Sequence, residues 1–194
     1  MSEQTTHAGE LERALQLEAD GQRRLLAGEA AQAAPLFKEA AEHYRRSWQL
    51  ASPTSYGRLI GMTKAAILAG GGEEEGRYAL AELAGVEELT PAAAYALALA
   101  NLAVGNDAAA AGYLEAIEAG GPSFERAARA IAAICKGDRE GLAAALEAIV
   151  ADFESRASHL TGVVIADTAL MFQRLGARRG LEVRLSGKAV GAAG

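Results

Sequence analysis

The chain encodes an all-α fold, and three observations point to it. Alanine, the strongest helix former, makes up about a quarter of the 194 residues, while aromatic residues amount to 5%. Runs that alternate apolar and polar residues, as a half-buried strand does, are scarce; "GLEVRLSG" at 180–187 is the nearest. Helix punctuation recurs along the whole length. Ser52-Pro53 and Thr90-Pro91 each place a capping hydroxyl before a proline at the first helical position. Gly28, Gly105 and Gly137 each close one apolar-periodic run before another opens, as helix C-caps do.

Between these marks the pattern predicts nine helices, near 9–27, 30–50, 53–69, 73–85, 91–104, 107–119, 123–136, 139–154 and 163–175. Pro35 falls about one turn into the second helix, where the amides are orphaned anyway, so it need not break it. "GGGEEEG" at 70–76 reads as a turn followed by an acidic helix start. Asp107 and Glu125 sit in first turns, where the helix dipole favours negative charge. Connections are short, so consecutive helices should lie antiparallel. No linker divides the chain. One domain is expected over 9–185, with disordered tails at 1–8 and 186–194.

The turn glycines are spaced by 43, 34 and 32 residues, from Gly28 to Gly71 to Gly105 to Gly137. A helix-pair period near 34 is typical of tetratricopeptide repeats. The stretch "GQRRLLAGEAAQAAPLFKEAAEHY" resembles that family on its second half. Gly21 is the small residue seven before the turn glycine, Ala33 and Phe37 match the family's alanine-x3-aromatic, and Ala40 supplies a further small residue. Small residues let two helices approach closely while Phe37 fills the gap between adjacent hairpins. Elsewhere the pattern thins. The first helix has Leu17, Asp20 and Arg24 where the family favours tryptophan, leucine and tyrosine. The hairpin at Gly105 keeps Ala98 and Ala110 but has Leu114 for the aromatic, and the one at Gly137 keeps Ala130 with Leu142 and Leu146. Around 70–72 the turn glycine is ambiguous among Gly70, Gly71 and Gly72.

The resemblance covers residues 9 to about 154. It implies a right-handed α-α superhelix of about four helical hairpins, which residues 155–185 would close with a C-terminal capping helix. In that last helix Leu170, Met171 and Leu175 offer an apolar face, and Arg174, Arg178 and Arg179 meet the helix C-terminus.

Charge and motifs narrow the function. The net charge of −6 argues against a general nucleic-acid binder, which needs a basic footprint. Residues 61–125 hold 2 basic and 10 acidic groups, an acidic segment able to steer a basic partner. The polar start "MSEQTTHAGE" and apolar runs shorter than a membrane span point to a cytoplasmic protein with no membrane partner.

No phosphate-binding loop, HExxH, GxSxG or paired cysteine motif occurs. The histidines, His7, His43 and His159, are too scattered for a metal site, so neither metal nor cofactor is expected. His159 with Asp152, Glu154 and Asp167 is the one His/carboxylate grouping close in sequence, and an acid/base site would centre on His159 and Asp167. Cys135, the single cysteine, excludes an internal disulfide and reads as a buried thiol. Phe37, Ala41, Tyr44 and Trp48 form a stripe at helical spacing that reads as core packing, with a ligand platform as the alternative. Gly57 and Gly61, four apart, mark a helix face open to close approach.

Helical arrays of the resembled kind present a concave face lined by the first helix of each hairpin. In register with that face stand Glu18, Gln22 and Leu25 in the first hairpin. Tyr95, Leu99 and Leu102, then Ala127, Ile131 and Ile134, follow in the later ones. This lining is mostly apolar. The expected function is therefore a non-catalytic protein-interaction module that takes an apolar peptide or helix in its groove, with a second copy of the chain or its own last helix as further occupants. Two other classes stay open: an immunity or antitoxin-like inhibitor using the acidic 61–125 surface, and an enzyme centred on His159 and Asp167.

Overall fold

A computed structural model describes residues 6–156 and 163–191. Among them lie ten helices and no strand: α1 (His7–Leu26), α2 (Ala30–Leu50), α3 (Gly57–Leu68), α4 (Glu73–Glu82), α5 (Pro91–Ala103), α6 (Asp107–Ala111), α7 (Leu114–Glu118), α8 (Pro122–Lys136), α9 (Arg139–Ser155) and α10 (Asp167–Ala177). Consecutive helices pack against each other, α1 on α2, α2 on α3, α4 on α5 and α8 on α9, while α3 also reaches across to α5.

The turn chemistry explains the bends. Gly28, Gly105 and Gly137 have φ of 79°, 80° and 66°, a left-handed conformation that a side chain would strain. At each, the glycine amide and the one after it donate back to carbonyls of the last turn. Gly28 N reaches Leu25 O at 2.9 Å and Glu29 N reaches Arg24 O at 2.9 Å, which satisfies acceptors the helix end would otherwise orphan. The same pair of bonds at Gly70 and Gly71, with φ of 99° at Gly70, identifies Gly70 as the residue that closes α3.

Two boundaries differ from expectation. Ser52 and Pro53 do not open α3, because the Ser52 hydroxyl pairs with Thr54 Oγ1 at 3.1 Å and the helix starts four residues after Pro53, at Gly57. The helix expected over 107–119 divides at Gly112 and Tyr113, whose amides bond three residues back (to Ala109 O and Ala110 O) instead of four. A glycine in mid-helix has little resistance to that tightening. Thr90-Pro91 behaves as expected, with Thr90 Oγ1 accepting from Ala93 N at 3.2 Å. Pro35 leaves α2 unbroken.

The tails are also more ordered than expected where they are described. His7 and Ala8 already belong to α1, capped by Thr6 Oγ1 on Gly9 N at 3.1 Å. At the other end Val190 is fully buried, Ala189 N donates to Glu154 Oε1 at 3.0 Å, and Ala166 N donates to Ala189 O at 2.8 Å. The alternation in "GLEVRLSG" is real burial without a ladder. Leu181, Val183 and Leu185 are buried, and the carbonyls of Glu182 and Val183 accept from Arg139 Nε at 2.7 Å and Gln173 Nε2 at 2.9 Å.

Phe37 is fully buried as expected, with its ring against α1 of its own hairpin. A Cβ built on Gly21 would stand 3.1 Å from that ring, so the glycine makes room for the aromatic face. Ala41, Tyr44 and Trp48 are buried along the same stripe, as core. Gly61 lets the Tyr44 ring approach, whereas Gly57 has nothing against it.

Candidate functional site

The residues expected to line the groove are inside the molecule. Leu25, Leu99, Leu102, Ala127, Ile131 and Ile134 are buried, as are the polar Glu18 and Gln22, and Tyr95 is partly so. An open apolar hollow is therefore not what these residues form. α10 packs against α3, α8 and α9, and Phe172 on it meets Tyr95 of α5 with ring centroids 6.5 Å apart. Phe172, Met171, Ala169 and Leu175 are fully buried, so this helix brings an apolar face to the interior, as its sequence pattern predicts.

Both ends of α10 are fixed by polar contacts, which an apolar face alone would not supply. At the N-terminal end Asp167 accepts from Lys64 Nζ of α3 at 2.6 Å and from Gln22 Nε2 of α1 at 3.0 Å. Gln22 also accepts from Val164 N through Oε1 at 2.9 Å. Lys64 Nζ lies 2.8 Å from Glu18 Oε1, an ion pair without hydrogen-bond alignment, and Tyr44 OH donates to Glu18 Oε2 at 2.5 Å. One cation thus holds two carboxylates in a mostly buried setting; the Lys64 side chain is 18% exposed.

Burial by itself would lower the Lys64 pKa. The charges of Asp167 and Glu18 outweigh it and hold the ammonium well above its ordinary value. Burial, with the Glu18 charge second, pushes the Tyr44 phenol up, so it stays a donor.

At the C-terminal end three arginines reach helix ends other than their own. Arg174 Nη1 donates to Leu68 O and Arg178 Nη2 to Gly71 O at 2.5 Å, both at the end of α3. Arg179 Nη2 donates to Leu102 O at 2.8 Å at the end of α5, and its Nε pairs with Asp107 at 2.8 Å. Arginine suits this because its fork carries several donors at fixed angles, and helix C-termini present free carbonyls and partial negative charge. The placement of these arginines near a helix C-terminus was legible in sequence; which helices they cap was not.

For the remaining candidates the structure is less suggestive of chemistry. His159 lies outside the described residues. Asp167 is committed to Lys64 and Gln22. Asp152 joins Arg126 and Arg156, and Glu154 binds the Ala189 amide. His43 Nδ1 sits 2.5 Å from Glu10 Oε2, between α2 and α1. The thiol of Cys135 is partly buried and its pKa is pushed up by burial, which makes it a poor nucleophile. No group of three or more His, Cys, Asp or Glu able to hold a metal occurs among the described residues. No helix among them is long and apolar enough to cross a membrane. Of the acidic groups in 61–125, Asp107 is taken up by Arg179, Glu82 accepts from Trp48 Nε1 at 2.8 Å, and Glu73 pairs with Arg77.

The residues that sequence reasoning missed are Lys64 as a polar partner of α10 and Tyr44 as the donor to Glu18 beside it. A signal existed. Lys64 is one of only two basic residues in 61–125 and interrupts the apolar run "LIGMTKAAIL" of α3. A lone cation on such a face implies a buried counter-charge.

Comparisons with protein-family models, with curated proteins and with solved structures found no match.

Proposed function

We propose that this protein is a non-catalytic interaction module whose receiving surface is the seat now filled by its own α10, and that a partner's apolar helix takes that seat in turn. The four hairpins that turn at Gly28, Gly70, Gly105 and Gly137 would form a tetratricopeptide-like array in this reading. The observation that carries it is the manner in which α10 is held. An apolar face lies between two polar fixings, the Lys64–Asp167 pair at one end and the arginine-to-carbonyl contacts at the other.

Such a seat selects a helix by pattern. It favours a carboxylate in the first turn opposite Lys64, apolar residues at helical spacing, and basic residues in the last turn. Polar ends around an apolar centre give register and orientation, whereas the apolar contact gives affinity.

The test uses a labelled peptide of residues 163–185 and a full chain carrying Leu170→Asp and Phe172→Asp, changes that keep its own α10 from seating. The peptide should bind this variant saturably in fluorescence anisotropy and bind the unmodified chain far more weakly. Adding Tyr95→Glu to the variant should abolish binding, because a carboxylate would then be buried without a partner. A variant that keeps its helical circular dichroism and binds no peptide would refute the reading.

A further inference from the structure

α1 packs along α2, and its outer face borders an open hollow of about 650 Å³. Ala8, Leu11, Leu15 and Ala19 line it, with Glu12 and Arg23 along one flank. Arg58 reaches one end of the hollow, but its donors go to Ser47 Oγ and His7 Nδ1. Four large apolar side chains are exposed among the described residues, and two of them, Leu15 at 44% and Leu26 at 39%, stand on this helix. Uncovered apolar side chains gathered on one face mark a contact surface.

The sequence of α1 says what fits there. Ala8, Leu15, Ala19 and Leu26 follow one another at seven, four and seven residues, which keeps them in one seam along the helix. Their order is small, large, small, large. Laid end for end against itself, the seam sets Leu15 over Ala19 of the other copy and Leu26 over its Ala8, and a two-fold axis repeats each contact. Ala19 is nearly buried, so it forms a floor on which a leucine can rest.

The charges obey the same register. Glu12 and Arg23 lie on one side of the seam, and the antiparallel arrangement brings each against its counterpart in the other copy. Glu12 has no hydrogen bond or ion pair among the described residues. Arg23 pairs with Asp20, three residues away on the same helix and half-exposed like itself, a contact of little strength. Its guanidinium keeps donors for a second carboxylate.

From this pattern we infer that the outer face of α1 pairs with the same face of a second copy, the two helices antiparallel about a two-fold axis between Leu15 and Ala19. A second copy accounts for the alternation of size and for the two opposite charges together. A lipid surface would accept the leucines and has no use for Glu12. The apolar seam gives the strength, and the rim charges give register and orientation. The hollow is small, which places the dimer among weak interfaces, with a Kd of about 10–500 µM. This face shares none of these residues with the α10 seat, so either reading can fail without the other.

The experiment is sedimentation velocity of the full chain from about 5 to 500 µM, with circular dichroism to check that each variant is folded. The unmodified chain should pass from monomer to dimer over this range. Leu15→Gln, on an exposed side chain and still a good helix former, should weaken the dimer by roughly tenfold or more. Glu12→Arg and Arg23→Glu should each self-associate more weakly than the unmodified chain, because each sets like charges together. An equimolar mixture of those two variants should regain the dimer, since every facing pair is then opposite in sign. A chain that stays monomeric up to about 500 µM overturns the proposal. So does a dimer that Leu15→Gln leaves unchanged, or a mixture of the two charge variants that associates no better than either alone.

Discussion

Phe37 and Lys64 illustrate two ways in which one side chain can organise its surroundings. Phe37 acts by volume, filling the space that Gly21 leaves on α1. Phe37→Ala should cost about 3–5 kcal/mol in urea melts, the usual loss for a deleted core aromatic. A loss below about 1 kcal/mol would mean that the ring is not packed as described. Lys64 acts by charge, neutralising Glu18 and Asp167 together. Lys64→Met would leave two carboxylates buried without a cation, a change of the kind that costs about 3–5 kcal/mol.

The same cluster sets a dependence on pH. The folded state raises the pKa of Lys64 and of the Tyr44 phenol above their ordinary values near 10.5 and 10.0. Groups raised in this way bind more protons folded than unfolded once pH passes the ordinary value. Their contribution is fully present at neutral pH and is lost as pH climbs through the alkaline range. Chemical denaturation should therefore show stability falling above about pH 10. That fall should be shallower in Lys64→Met. Equal slopes in the two proteins would place the cluster outside the energetics of folding.

Helices were legible in the sequence where punctuation was chemical and local. Thr90-Pro91, Gly28, Gly105 and Gly137 each carry their own reason for a boundary, and each boundary falls where that chemistry puts it. Ser52-Pro53 carries a similar signature and failed, because the nearby Thr54 hydroxyl competes for Ser52. Gly112 carries no such local stop signal, yet a mid-helix glycine is a weak point and the helix breaks beside it. The apolar face of α10 was legible from Leu170, Met171 and Leu175, whereas the groove positions came only from the tetratricopeptide resemblance. Their mutual burial was not legible, because no local pattern records which distant helix covers which face. At this scale the arginines of α10 offer a direct test. Arg179→Leu should remove the bonds to Leu102 O and Asp107 and cost about 1–3 kcal/mol, the usual penalty of leaving buried polar groups unpaired. Arg23→Leu, on an exposed arginine paired with nearby Asp20, should change stability by less than about 0.5 kcal/mol.

In the whole molecule, α10 touches helices from both halves of the chain, α1 through Gln22, α3 through Lys64, α5 through Tyr95, and α8 and α9 by packing. A helix in that position is either a permanent part of the core or an occupant that can leave. The proposed function requires the second. Native-state hydrogen exchange, read residue by residue, distinguishes them most directly. The account predicts that the amides of 167–177 open together at a lower free energy than those of α3, α5 and α8, while the latter remain protected. If the α10 amides instead exchange only through global unfolding, at the same free energy as α3 and α5, the seat is never vacated and the account is contradicted.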